Sequence, residues 1–147
     1  ARGFGSSSVV GNTRGTFTTC VIPGGSLEKN GWIEISPYFS VGTTSFSWQE
    51  AIYVSDGIAT ATVLLGTQTA ARSHRPWYDF RNNGSISTNI AMTSSVANQF
   101  NSTSASEVNT TINTANNLTV SIAGNMSTQT TMPVHMPHCL VRWYYAE

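Results

Sequence analysis

The sequence predicts an all-β domain, a sandwich or barrel, and three observations carry that prediction. Runs rich in Val, Ile, Thr, Phe, Tyr and Trp recur along the chain, separated by Pro-Gly, Asn-Gly and Asp-Gly signals at spacings of roughly 8–12 residues. No segment sustains the 3.6-residue apolar period, with caps, that a helix requires. The chain has 147 residues, 39% hydrophobic and 10% aromatic, which is enough to bury a core without staples.

The elements follow in order. Residues 1–13 (ARGFGSSSVVGNT) are rich in Gly and Ser and read as a linker or loosely ordered lead-in, leaving 14–147 as a single β-sandwich domain. Ala1-Arg2-Gly3 shows neither the basic nor the apolar region of a secretory signal, and reads as the start of a piece excised from a longer protein or left by processing. Gly15–Ile22 is a strand stopped by Pro23-Gly24-Gly25. Trp32–Val41 follows the Asn30-Gly31 pair, and its Pro37 calls for an edge or a bulge because proline cannot donate to a ladder. Residues 44–54 end at Asp56-Gly57, and 58–65 (IATATVLL) form the next strand. Residues 70–81 hold Pro76 and an aromatic run. Asn82-Asn83-Gly84 is the best hairpin signal, a type I′ turn with 85–93 as the return strand. A long polar loop over 94–106 precedes strands at 107–113, 118–123 and 132–145. The total is about eight or nine strands, antiparallel given their short connections.

Composition excludes several functions. Only 10% of residues are charged, against about 25% in an average domain. Lys29 is the sole lysine, so hydroxyls and amides supply the solubility. A formal net charge of +0 leaves no electrostatic footprint for nucleic acid. No apolar run approaches the roughly 18 residues of a membrane span, so no membrane insertion is expected. Low charge together with abundant aromatics does not fit disorder.

No motif declares catalysis. The acidic residues Glu28, Glu34, Glu50, Asp56, Asp79, Glu107 and Glu147 are scattered singly, which leaves a carboxylate pair to cross-strand pairing alone. His74 and Asp79 could join a serine in a triad, but no nucleophile elbow accompanies them. His135, His138 and Cys139 have zinc-ligand chemistry, yet strand alternation and Pro137 separate their side chains and a fourth ligand is missing. The expectation is a protein without catalytic residues, metal or cofactor. Five glycosylation sequons, at Asn83, Asn101, Asn109, Asn117 and Asn125, are close to what a chain so rich in Ser, Thr and Asn produces by chance. Cys20 and Cys139 are either two buried thiols or, should the first and last strands be neighbours, a disulfide closing most of the chain.

The most informative cluster runs from Arg72 to Arg81. His74, Arg75, Trp77, Tyr78 and Asp79 combine flat aromatic faces with planar hydrogen-bonding groups, the mixture that sugar recognition uses. The same run also reads as a strand with alternate aromatics in the core and solvated Arg residues, or as a subunit interface.

The order of elements resembles the terminal jelly-roll domain of tailed-phage tail fibres, tail spikes and related virion proteins. Its marks are Cys20-Val21-Ile22-Pro23-Gly24-Gly25-Ser26-Leu27 followed by Asn30-Gly31-Trp32-Ile33-Glu34-Ile35, and the hairpin Arg81-Asn82-Asn83-Gly84-Ser85-Ile86-Ser87. The pair Thr111-Ile112-Asn113-Thr114 and Leu118-Thr119-Val120-Ser121-Ile122-Ala123-Gly124 comes next, before the long last strand. The likeness spans about residues 15–145 and departs at the 73–79 insert and at Arg142-Trp143-Tyr144-Tyr145. It implies a jelly-roll-like homotrimer on the virion surface, extracellular, binding a host glycan or protein receptor or other virion proteins, with no shared catalytic residues. Trimerisation also suits the low charge, since closed assembly hides apolar patches and edge strands. A secreted lectin-like carbohydrate-binding module and a fragment of a polysaccharide depolymerase are the alternatives.

Overall fold

Eleven strands make up the fold in a computed structural model that describes residues 7–42, 47–69, 73–75, 77–94, 105–127, 131 and 133–145. They are β1 (Ser7–Val10), β2 (Gly15–Ile22), β3 (Trp32–Val41), β4 (Trp48–Ser55), β5 (Thr60–Gln68), β6 (Ser73–His74), β7 (Tyr78–Ser85), β8 (Thr88–Ser94), β9 (Ala105–Thr110), β10 (Leu118–Met126) and β11 (Pro133–Tyr144). The front sheet runs β1-β11-β3-β7-β8-β9, with β6 also on β3, and the back sheet runs β5-β4-β10-β2. All pairings are antiparallel except one parallel bridge between Leu64 and Ser94, where the two layers join. Strands β2, β3 and β4 alternate between the layers, as do β9, β10 and β11, which gives an antiparallel sandwich, one of the two forms that the turn spacing predicts, with the jelly-roll-like order that the resemblance implies.

Two short strands raise the count above eight or nine. Within the lead-in assigned to residues 1–13, Ser7–Val10 pairs with β11, Val9 lying opposite Val134. That addition gives the outer edge of β11 a hydrogen-bonding partner, which a solvated Gly/Ser linker would have left exposed. The two-residue β6 pairs with Phe39 and Ser40 beyond the point where β7 leaves β3. Pro37 sits between those two stretches and is opposed only by Cys139, so on its β6/β7 side it occupies the edge-like position that a proline requires. Most of the polar loop read at 94–106 lies outside the described residues.

The core lies between the layers. Phe39 of the front sheet meets Phe17 edge-on at 5.7 Å and Trp48 at 5.5 Å, both from the back sheet. Ile33, Ile35, Ile52, Val54, Val120, Ile122 and Phe80 fill the remaining inward positions at 0% exposure. Burying side chains of this size stabilises by roughly 1.5–3 kcal/mol each before entropy is counted. One carboxylate shares this space. Glu50 is fully buried between Gly66 and Gly124 on the flanking strands and accepts a 3.0 Å bond from Gln68 Nε2.

The hairpin forms, but its turn is not Asn83-Gly84. Ser85 pairs with Thr88, so Ile86-Ser87 makes the turn, and Asn83-Gly84 is a bulge between the Asn82–Asn89 and Ser85–Thr88 pairs. Gly84 supplies the left-handed φ of 69° that the bulge needs. The bulge turns Asn82 inward, where a polar network closes this end of the sandwich. Asn82 Nδ2 donates to the Glu28 carbonyl and to Thr114 Oγ1 (2.8 Å), while its Oδ1 accepts from Asn89 Nδ2 (2.8 Å). Gly31 is required by proximity rather than by φ, because a Cβ there would collide with the carbonyls of Leu27 and Tyr144.

Asp56 ties the β4–β5 turn to the same end. Its carboxylate accepts from the backbone N–H groups of Ala59 (2.7 Å), Asn113 (2.8 Å) and Ile58 (2.9 Å). Those bonds, the one from Ala59 first, hold its pKa below the ordinary 3.8. The stabilisation is therefore present above the unfolded value and is lost as pH falls through the folded one. Asp56→Ala should cost about 1–2 kcal/mol at neutral pH and much less in strong acid. Urea melts at pH 7 and near pH 2 check this, and an equal loss at both would mean that the carboxylate charge plays no part.

Candidate functional site

Strand alternation sorts the outer face of the front sheet into rows. Tyr144, Trp32 and Arg81 stand side by side on β11, β3 and β7, and the next row is Arg142, Glu34 and Asp79. Leu140 and Ser36 form the third row, and His138 and Tyr38 the fourth. Trp32 stacks on Tyr144 at 4.7 Å and Tyr38 on His138 at 5.3 Å, so both outer rows are capped by paired rings. Between them opens a cleft of about 350 Å³ lined by Glu34, Ser36, Arg75, Trp77, Leu140 and Arg142. That volume lies in the range of small-ligand sites.

Each wall has a local cause. Trp77 and Arg75 come from the segment joining β6 to β7, and Trp77 is 60% exposed. Ser36, only 9% exposed, makes a small polar floor. Glu34 is oriented by Tyr144, whose hydroxyl donates to Oε2 at 3.0 Å. Asp79 and Arg81 are both engaged within the protein. Among the described residues neither Arg75 nor Arg142 has an ion-pair or hydrogen-bonding partner, and both are exposed.

The predicted cluster is thus split by the pleat. Arg75 and Trp77 line the cleft, and Asp79 lies on the same face. Tyr78 points the other way. It is 3% exposed, and its hydroxyl has no partner in the core. Burial first, and then the nearby Glu50 carboxylate, push its phenol far above the ordinary 10.0. Tyr78 is therefore a core residue with no access to a ligand in the cleft. The backbone of His74 pairs with Phe39, and its side chain lies outside the described set. Glu34, Ser36, Leu140 and Arg142 were not among the expected site residues. Arg142 did carry a signal, since it falls in the stretch where the chain departs from the fibre-like pattern.

The sequence left a carboxylate pair to cross-strand pairing, and the register provides one: Glu34 lies directly opposite Asp79. Of the zinc-like trio, His135 and His138 are exposed whereas Cys139 is buried, so their side chains leave the strand on different faces.

The two cysteine strands are not hydrogen-bonded neighbours. Strand β2 pairs with β10, and β11 pairs with β1 and β3, so Cys20 and Cys139 lie in opposite layers. Both are free thiols. Each packs at the core, and they are near enough to interact electrostatically. Burial, and secondarily Cys20, push the Cys139 thiol up to about 12, and burial also raises Cys20. Native protein at pH 8 should react slowly with Ellman's reagent at Cys20 and not measurably at Cys139. Denatured protein should release two equivalents. Rapid labelling of Cys139 in the native state would contradict the burial described.

Fold and cleft together define an antiparallel β-sandwich with a depression on one sheet where charged and hydroxyl groups surround Trp77 and Leu140. No family model matches the chain, and no curated protein does. Among solved structures, a chain in the structure of infectious bursal disease virus Gt strain is similar over 97% of this chain, with 15% identity and a TM-score of 0.37. This chain spans 30% of that chain's length.

Proposed function

We propose that this chain is a non-enzymatic virion surface domain, the host-attachment tip of a phage tail fibre or spike, and that its front-sheet cleft binds a bacterial surface glycan. One observation carries the glycan reading: a tryptophan 60% exposed stands beside Glu34, Ser36, Arg75 and Arg142 around a depression of about 350 Å³. An exposed indole is costly to leave in water, and its face suits the C–H side of a pyranose. Carboxylate, hydroxyl and guanidinium groups at its rim suit sugar hydroxyls, which both donate and accept. The sheet beneath holds these groups at fixed spacings, so little ordering cost remains at binding.

The virion setting and the homotrimer rest on the resemblance of residues 15–145 to fibre and spike termini. Light scattering tests the assembly, since a monomer in solution would count against the fibre reading and favour a lectin-like module. The facing carboxylates of Glu34 and Asp79 favour the depolymerase as a second reading, because opposed cross-strand residues have Cβ atoms about 5 Å apart and retaining glycosidases need a close pair. Release of new reducing ends from capsule or lipopolysaccharide would replace the non-enzymatic reading with that one.

Trp77→Ala tests the site itself. The side chain is largely exposed, so the melting temperature should hardly move, whereas adsorption to host cells or glycan should fall by about 1–3 kcal/mol, roughly five- to 150-fold. Tyr78→Phe should leave adsorption unchanged. Full adsorption by the Trp77 variant would remove this cleft from consideration.

A further inference from the structure

We infer that the cleft selects an acidic saccharide, a sugar bearing a carboxylate, which Arg75 and Arg142 clamp while Trp77 stacks on its ring; this rests on the reading of the cleft as a glycan site.

The charge inventory of the front face points there. Of seven Lys and Arg residues in the chain, two border this one depression. The other charged groups of the face are already committed. Glu34 holds the Tyr144 hydroxyl at 3.0 Å, and Asp79 and Arg81 are each engaged. Arg142 stands directly across from Glu34 in the β3–β11 register, the natural place for a cross-strand ion pair, yet the two form none among the described residues. The back face handles its cation differently: Arg14 donates to Tyr53 Oη (3.0 Å) and Gln49 Oε1 (3.2 Å). Among the described residues these two guanidiniums are unpartnered, and set against the single Glu34 carboxylate they leave the cleft one positive charge in excess.

The ligand class follows from shape. A guanidinium offers a planar fork that matches a carboxylate through two parallel hydrogen bonds, and a second one from the opposite wall can take the remaining lone pairs. A planar anion alone would not use Trp77, and a neutral sugar would accept hydrogen bonds from the guanidiniums without using their charge. A uronic or nonulosonic acid residue uses both. Glu34 then faces the sugar's hydroxyls, where a carboxylate acts only as acceptor, and it repels an anion bound in the wrong orientation.

An oligosaccharide array tests this with matched pairs: each uronic- or nonulosonic-acid chain beside its carboxyl-reduced form, with neutral chains and polyglutamate as further probes. The full chain should bind the acidic form at least tenfold tighter than the reduced one. Arg142→Gln and Arg75→Gln should each largely abolish that preference, and Trp77→Ala should weaken both forms together. Both arginines are exposed, so the variants should fold, and unchanged thermal melts verify it. Equal binding of acidic and reduced chains, still dependent on Trp77, would overturn the acid selectivity and leave the glycan site standing. Polyglutamate bound as well as the sugar acids would also overturn it, showing an anionic-peptide surface instead. No binding to any saccharide would remove the glycan site and the inference together.

Discussion

The register of β3 is the constraint on which the rest depends. Its odd-numbered residues Ile33, Ile35, Phe39 and Val41 enter the core, and its even-numbered residues Trp32, Glu34, Ser36 and Tyr38 make the outer face. A slip of one residue against β11 or β7 would exchange the two sets, placing Glu34 among isoleucines and Phe39 in water. Because Phe39 is wedged against Phe17 and Trp48 from the opposite layer, the core holds the register and the register holds the cleft. The outer groups contribute little to that hold themselves: stacked rings and a carboxylate–phenol bond at the surface are worth far less than the buried layer behind them. The site is consequently free to vary while its geometry is kept by residues that never touch a ligand.

Much of this architecture was legible because period-two alternation leaves a trace in sequence. The bounds of β2 and β3 coincide with their β-branched and aromatic runs, since Pro23 and the Asn30-Gly31 pair stop or start the ladder for reasons local to the chain. Irregularities were harder to read. Asn83-Gly84 has the chemistry of a tight turn and of a bulge alike, and the choice was made by Asn82, which must face inward to meet Glu28, Thr114 and Asn89. The short strand Ser7–Val10 carries only two apolar residues, and its place comes from an edge of β11 that local sequence cannot reveal.

The cleft was half visible for the same reason. Arg75 and Trp77 are neighbours in sequence, so their combination stood out. Tyr78 was grouped with them by proximity along the chain, although the pleat sends it to the other face beside Glu50. Glu34 and Tyr144 lie 110 residues apart, and only the pairing of β3 with β11 brings them together. A short motif in one segment can be read from composition, but a site assembled from two strands and a connecting segment requires the register first.

Scarcity of charge sharpens what the few charged groups mean. In a surface dense with Lys and Glu, an arginine beside a glutamate is one pair among many and says little about function. Here the solvated surface is made mainly of hydroxyls and amides, so fixed charge is an exception needing its own cause. Asp56 has such a cause in three backbone N–H groups, Glu50 in Gln68, and Arg14 in Tyr53 and Gln49. Arg75 and Arg142 have no such internal partner among the described residues, and they border a depression that the exposed Trp77 also borders. Glu34, directly across from Arg142, offsets one of the two positive charges, so the inferred acid selectivity depends on how the guanidiniums are placed around Trp77 more than on a strong net field.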